Sequence, residues 1–435
     1  MYEIALTLLL VSSLLVFLAG GLWIGLSLMG VGFLAMTAFT SRPVGDALAT
    51  VVWSHTSLWG LASLPVFIWM GEILFRTRLS ESLFNGLGPL MRRMPGGLIH
   101  VNIVGCVTFA AISGSSAATL ATIGKITVPE LRKRGYPDKM AYGTLAGAGT
   151  LGLLIPPSIT MIVYGVTVQE SIGRLFIAGI LPGLMLAGLF IGYVMLWGIF
   201  TEEGRKHREE RASWREKLAG ARELAPVVGL IIGVIGSIYL GIASPTEAAV
   251  LGVLGALLLS ALQGSLSWDS FQASLMGATK TTSMIMLLLA GSAFLTLAMG
   301  FTGLPRALAD WIGAMNLSPW TLIAALTLFY IILGMFLDGI SAIVLTMAVI
   351  EPLVRGAGID MIWFGIFVVL VGEMAMITPP VGFNLFLVQS MTGRDIGFIA
   401  KSAIPMFLLM VVGVILLTAF PQIALWLPEF MNQKN

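Results

Sequence analysis

The sequence predicts an all-α polytopic membrane protein built from two related halves. Three observations carry this. Of 435 residues, 57% are hydrophobic and 11% are charged, against roughly 25% charged in an average soluble domain. Apolar runs of spanning length recur almost to the C-terminus, and in hydrocarbon such runs close their backbone hydrogen bonds as helices. Two double prolines, Pro156-Pro157 and Pro379-Pro380, interrupt apolar segments in matching positions of the two halves.

Ile4 to Phe39 carries no charge and is too long for a signal peptide, so it predicts two spans turning near Gly20-Gly21. Further apolar segments fall near 51–75, 98–123, 140–168 and 175–200, then near 225–242, 246–263, 272–300, 319–350, 361–390 and 398–426. Those near 98–123, 319–350 and 361–390 are long enough for hairpins or broken helices, and 10 to 13 spans fit the pattern. Thr201 to Glu223 holds seven Lys/Arg and six Glu. It reads as an exposed linker between the halves, cytoplasmic by the positive-inside tendency. Arg132-Lys133-Arg134 needs the same side unless it belongs to a re-entrant element, and Arg92-Arg93 is a weaker vote.

The net charge of +2 gives no basic tract for nucleic acid. One cysteine, Cys106, excludes an intramolecular disulfide or a cysteine metal cluster. His55, His100 and His207 are far apart, and His207 reads as a surface residue of the charged linker.

The halves repeat. Pro129, Pro156, Pro157 and Pro182 recur, all at one constant interval, as Pro352, Pro379, Pro380 and Pro405. Gly114-Ser115-Ser116 is echoed by Gly339-Ile340-Ser341 at a slightly longer interval. Secondary transporters commonly pair inverted repeats through interrupted helices at the midplane, which makes inversion the preferred reading.

Four breaks follow. At Ser113 to Ser116, small and hydroxyl residues suit the turn of a re-entrant hairpin, with tight helix packing as the alternative. At Pro156-Pro157, flanked by Gly147, Gly149, Gly152, Ser158 and Thr160, the choice lies between a kink and a discontinuous helix. A discontinuous helix frees carbonyls for a small cation and a half-helix end for an anion. Asp338, in MFLDGISA, is an acid in an apolar stretch; it binds sodium or a proton, or it caps a half-helix. At Pro379-Pro380, Thr378 and Asn384 offer a hydroxyl and an amide, while Glu373 is placed one or two turns away, toward an interface. Thr246 reads as the N-cap of the following span and Lys125 as an interfacial anchor. Trp53, Trp59 and Trp69 read as belt or scaffold residues.

At SGSSAAT (113–119), GYPDKMAYG (135–143), GLLIPPS (152–158), SPTEAA (244–249), MFLDGISA and ITPPVG, the chain resembles the large membrane subunit of tripartite ATP-independent periplasmic (TRAP) transporters, the DctM-like family. The resemblance covers essentially all of the chain. It implies sodium-driven uptake of a small organic acid, such as a C4-dicarboxylate or sialic acid, across a bacterial or archaeal cytoplasmic membrane. Its implied partners are a separate small membrane subunit (DctQ-like), an extracytoplasmic binding protein (DctP-like) and lipid. Sodium ions are the coupling ions, with no other cofactor and no enzymatic activity; Asp338, Glu373 and the histidines form no recognisable catalytic set.

The resemblance further implies an elevator-type transporter. It divides the chain into scaffold helices at 1–95, a first transport repeat at 96–200, a cytoplasmic linker at 201–224, second scaffold helices at 225–317, a second transport repeat at 318–426 and a polar tail at 427–435. Hairpins turn at Ser113 to Ser116 and at Asp338 to Ser341. Sodium is expected where each tip meets its broken helix: Ser113, Ser115, Ser116 and Gly152 at one junction, Asp338, Gly339, Ser341 and Thr378 at the other. The substrate carboxylate is expected near Ser116, Ser158 and Asn384. The rival reading is a self-sufficient ion-coupled organic-anion transporter.

Overall fold

The computed structural model describes residues 2–77, 86–206, 213–303, 307, 315, 318–380 and 382–432. His207, the middle of the charged linker, most of 304–317 and the last three residues of the tail lie outside the described residues.

Those residues form helices throughout. α1 (Tyr2–Ala19) and α2 (Ile24–Phe39) are joined at Gly21, whose φ of +78° is a left-handed conformation that glycine adopts without penalty. The apolar segment near 51–75 starts earlier and is bent. α3 (Val44–Thr56) meets a short 3₁₀ turn and α4 (Ser63–Arg76) at 58°. The Ser57-Leu58 junction that makes this bend contains no proline, so the chain pattern did not mark it.

Next come α5 (Ile99–Ser113), α6 (Ser116–Lys133), α7 (Asp138–Gly149), α8 (Leu151–Leu154), α9 (Ile159–Thr167), α10 (Ile172–Phe200) and α11 (Glu202–Lys206). The second half contains α12 (Trp214–Tyr239), α13 (Pro245–Leu262), α14 (Trp268–Thr302), α15 (Pro319–Gly334), α16 (Gly339–Gly356), α17 (Met361–Met376), α18 (Phe383–Thr392), α19 (Ile396–Ala419) and α20 (Gln422–Asn432). Among the described residues, α10, α12, α13, α14, α16 and α19 are each long and apolar enough to cross a membrane alone. The cap of α13 is Ser244, not Thr246. Its hydroxyl accepts from Glu247 N, the Glu247 carboxylate accepts from Ser244 N, and Pro245 fills the first helical position, which needs no N–H donor.

Packing among α2, α4, α13 and α14 relies on small residues. α2 lies so close to α14 that a Cβ on Gly25 would stand 2.7 Å from Leu287 O, backbone that cannot yield. α4 packs on α13 and α14, and Trp69 Nε1 donates to Ser274 Oγ at 3.2 Å.

The two repeats are cross-packed. Each has a hairpin (α5–α6; α15–α16), a broken helix (α7–α8 then α9; α17 then α18) and a long helix with an internal proline (α10; α19). The hairpin arm α6 packs on α18, and its counterpart α16 packs on α9. Likewise α7 packs on α19, and α17 on α10.

Side-chain bonds fix the relative direction of the broken helices. Arg394, just after α18, donates to Asp138 at the start of α7 (Nε to Oδ2, 3.0 Å). At the opposite end Tyr164 of α9 donates to Met361 O at the start of α17 (2.7 Å), and Arg355 of α16 donates to Val168 O (3.0 Å). One broken helix therefore starts where the other finishes, so the repeats are inverted.

The 29 residues of α10 span about 43 Å at 1.5 Å per residue. They carry the chain from the Val168 end back to the Asp138 end. There Gly198 abuts Gly96, and Leu98 N donates to Tyr136 OH at 3.1 Å. Arg92-Arg93, Arg132-Lys133-Arg134 and the start of the linker thus share one face, which the positive-inside tendency assigns to the cytoplasm. The chain is a multi-pass cytoplasmic-membrane protein.

Candidate functional site

The first hairpin turns where the sequence placed it. Gly114 is left-handed at φ +57°. Ser115 caps α6 by accepting from Ala118 N, and Ser113 Oγ lies 2.7 Å from Thr119 Oγ1, tying the turn to the returning arm. The tip sits directly on the first break. A Cβ on Gly114 would stand 2.8 Å from Pro157 O, and Ile159 N donates to Gly114 O at 3.5 Å. Gly152 faces the tip from the other side, where a Cβ would stand 2.7 Å from both Ser115 O and Ser116 Cα. Glycine is required at 152 by this approach, not by its torsions.

The break runs from Ile155 to Ser158, between α8 and α9, which bend by 42°. Pro156 and Pro157 supply no N–H, and Ser158 restarts the helix by accepting from Met161 N at 3.3 Å. Ser158 is fully buried. Ser113, Ser115, Ser116 and Gly152 are therefore brought together, with Ser158 on the far side of the same break.

Glu373 belongs to this junction, which corrects its expected placement away from the site. It lies on α17 in the other repeat, is 2% exposed, and both its oxygens lie 2.7 Å from Ser116 Oγ. Ser116 Oγ is also 3.5 Å from Thr150 O. Among the described residues no Lys, Arg or His pairs with Glu373, and it is the only carboxylate in the buried class. Thr150 is missing from the sequence reading as well; in the register set by the paired prolines it is the first repeat's counterpart of Glu373.

The second hairpin also turns as expected, at Asp338. Asp338 is the cap: Oδ2 accepts from Ile340 N (3.1 Å) and Ser341 N (3.3 Å), and Oδ1 accepts from the Ser341 hydroxyl. Gly339 lies against Gly372 and Leu153, and Gly334 approaches Ala375. The second tip thus sits against α17 ahead of its break and touches the first repeat at Leu153. Thr378 turns its hydroxyl back to Met374 O at 2.7 Å. The two breaks also differ in burial: Pro156 and Pro157 are buried, whereas Pro379 and Pro380 are exposed. A groove of about 420 Å³ runs beside the second break, lined by Thr378, Pro379, Lys401 and Phe407 among others.

Asn384 is fully buried on α18, and among the described residues neither its amide nitrogen nor its oxygen has a hydrogen-bond partner. Thr160, just past the first break, is likewise buried with an unpartnered hydroxyl. Buried polar groups are nearly always satisfied, and among the described residues Ser27, Thr122, Thr127 and Ser260 are buried with unpartnered hydroxyls as well.

Inverted repeats, paired hairpins and paired broken helices define a secondary-transporter membrane domain. Residues 11–423 match the family model of the tripartite ATP-independent periplasmic transporter DctM component, and the chain belongs to that family. It is 32% identical over 404 residues to the C4-dicarboxylate TRAP transporter large permease protein DctM of Pseudomonas aeruginosa, covering 93% of this chain and 94% of that one. It is 31% identical to the isethionate TRAP transporter permease protein DctMQ of Oleidesulfovibrio alaskensis, covering 94% of this chain and 64% of that longer one. An ectoine/5-hydroxyectoine large permease protein of Ruegeria pomeroyi is 32% identical, over 86% of this chain and 87% of that one. The crystal structure of the Alcanivorax borkumensis YdaH transporter shares the fold, with a TM-score of 0.62 at 15% identity and coverage of 86% and 87%.

Proposed function

We propose that this chain is the large permease subunit of a sodium-coupled importer of a small organic acid. An extracytoplasmic binding protein delivers the solute, and a small membrane subunit completes the complex. The single observation that carries this reading is the contact of the first hairpin tip with its broken helix. Gly114, Ser115, Ser116 and Gly152 bring backbone and hydroxyl oxygens together beside a break whose prolines leave carbonyls unbonded. Hard monovalent cations take such oxygen sets. Ser113, Ser115, Ser116 and Gly152 hold one sodium ion in this reading. Gly339, Ser341 and Thr378 serve the second hairpin and break, with Asp338 acting through the tip it caps.

The substrate lies between the repeats, against Asn384 and the Ser116–Ser158 side of the first break. The unpartnered amide of Asn384 supports this placement. Bound sodium offsets the charge of the anion, since burying an unpaired charge at membrane depth is costly. The hairpins and broken helices move as an elevator against the scaffold helices. A form loaded with both sodium and solute crosses more readily than a partly loaded one, which is the coupling.

Reconstitution into vesicles with the small subunit and a candidate binding protein tests this. Uptake of a labelled C4-dicarboxylate should appear only with an inward sodium gradient and both partners present. Uptake that ignores sodium would sink the coupling. Uptake by the large chain alone would establish the self-sufficient transporter instead.

A further inference from the structure

Glu373 is the buried acid that the resemblance left without a task. It sits on α17 of the second repeat, yet among the described residues its only hydrogen-bond partner is Ser116 at the first hairpin tip, 257 residues away. A serine hydroxyl has one hydrogen and two lone pairs. With a cation bound beside it Glu373 is ionised in this reading and has no hydrogen to give, so at 2.7 Å the Ser116 hydroxyl donates to it. Its lone pairs then face the remaining neighbours, chief among them Thr150 O.

That second separation is informative. At 3.5 Å, Thr150 O is too far to take the hydrogen away from Glu373. It suits a different relationship, because two oxygens each about 2.4 Å from a hard cation stand roughly 3.4 Å apart when at right angles. A cation ligand must present lone pairs, and a hydroxyl free to rotate presents its hydrogen part of the time. A partner that takes the hydrogen fixes the orientation, as outer groups do around other metal ligands.

We propose that Glu373 is a positioning residue for sodium. It takes the hydrogen of Ser116, turns that hydroxyl's lone pairs toward an ion shared with Thr150 O, and supplies the negative charge that balances the ion in a low-dielectric surrounding. The inference rests on the sodium reading above and adds a consequence. The ion at the first junction is held partly by the second repeat, so both inverted repeats report on one binding event.

Sodium binding can be read without transport. The full chain, purified in detergent, is titrated with sodium chloride against choline chloride at constant ionic strength, and its melting temperature is followed. The wild type should be stabilised by sodium specifically. Glu373→Gln keeps the shape and loses the charge, and should need at least about tenfold more sodium for half the stabilisation. Glu373→Asp should fall between the two. Ser116→Ala should also raise the midpoint, and Ser116→Ala/Glu373→Gln should be no worse than the weaker single variant, because both changes remove one arrangement.

A wild-type midpoint in Glu373→Gln overturns the proposal, as does strict additivity in the double variant. If Glu373→Gln does not fold, Glu373→Asp with a wild-type midpoint overturns it equally. A wild type indifferent to sodium defeats the sodium reading itself, an outcome distinct from the failure of Glu373 alone.

Discussion

Asp138 and Arg394, 256 residues apart, form an ion pair that joins the start of one broken helix to the end of the other, with Tyr142 OH donating to Asp138 Oδ1 at 2.8 Å. Arg132 reaches the same cluster through Tyr142 OH at 2.7 Å. At the opposite end Arg355, the counterpart of Arg132 in the register of the paired prolines, donates to Glu351 Oε1 at 2.9 Å and to Val168 O. A charged latch thus closes each end of the cross-packed repeats, while the hairpin tips meet the broken helices between them.

These latches are partly solvent-exposed, at 55% for the Arg394 side chain, and surface ion pairs contribute little and are screened by salt. Arg394→Gln should lower the melting temperature slightly at low salt and not at all near 1 M sodium chloride. The Asp138 hydrogen bond and charge raise Arg394 above its ordinary value. Arg394 is therefore protonated at every workable pH. Burial raises Asp138 less than Tyr142 and Arg394 lower it. The pair is thus lost on the alkaline side only past the raised Arg394 value, and on the acid side as pH falls through the lowered Asp138 value. Salt, not alkali, is the lever. A melting difference that persists in high salt would show that the pair acts through packing.

The close approach at Gly152 makes a sharper prediction. An added Cβ would meet the backbone of Ser115 and Ser116 at 2.7 Å, and backbone cannot rotate away. Gly152→Ala should destabilise by about 1–3 kcal/mol, as overpacking does, and weaken sodium stabilisation by displacing the tip. Gly188→Ala is the control. It lies on α10 with nothing near its Cβ position, and there alanine should be neutral or stabilising. Thermal unfolding of both variants in sodium and in choline reads the difference.

Much of this was legible in the chain. Proline and glycine act locally, so Pro156-Pro157 and Gly114 announced their breaks wherever the rest of the chain went. The constant interval between the two proline series then tied one break to the other. The bend between α3 and α4 was not legible, because Ser57 and Leu58 carry no obligate torsion. Ser244 was legible and misjudged: a proline at the first helical position points to the residue before it as the cap. Glu373 was visible as an intramembrane acid. Its partner was not, because the Ser116 contact exists only once the repeats cross, and no periodicity encodes that.

Asp338 separates capping from charge. Its carboxylate accepts two N–H bonds and one hydroxyl, and asparagine is an equally good cap whereas alanine is not. Asp338→Asn should keep the melting temperature and the sodium dependence of uptake. Asp338→Ala should lose about 0.5–2 kcal/mol and slow uptake by loosening the second tip. Loss of sodium dependence in Asp338→Asn with normal stability would return the carboxylate to direct ion binding.

Asn384 sets stability against function. Its amide is fully buried with both polar atoms unpartnered among the described residues, and leaving such groups unbonded costs about 1–3 kcal/mol. Asn384→Leu removes that cost and keeps the branched outline, but its two methyl groups are bulkier than the amide. Overpacking of about 1–3 kcal/mol offsets the gain, and the variant should melt near the wild-type temperature. If the amide exists to hold the solute, the same change should raise the solute concentration needed for half-maximal uptake by at least about tenfold, the loss expected when one well-placed hydrogen-bonding group is removed from a polar ligand. Sodium stabilisation without solute should be unaffected, because Asn384 lies on α18 and outside the first tip junction. A residue that merely packs α18 against α6 would give the reverse pattern, with a lower melting temperature and unchanged solute affinity. Paired melting and uptake measurements on this one variant therefore decide whether the unpartnered amide belongs to the transport path.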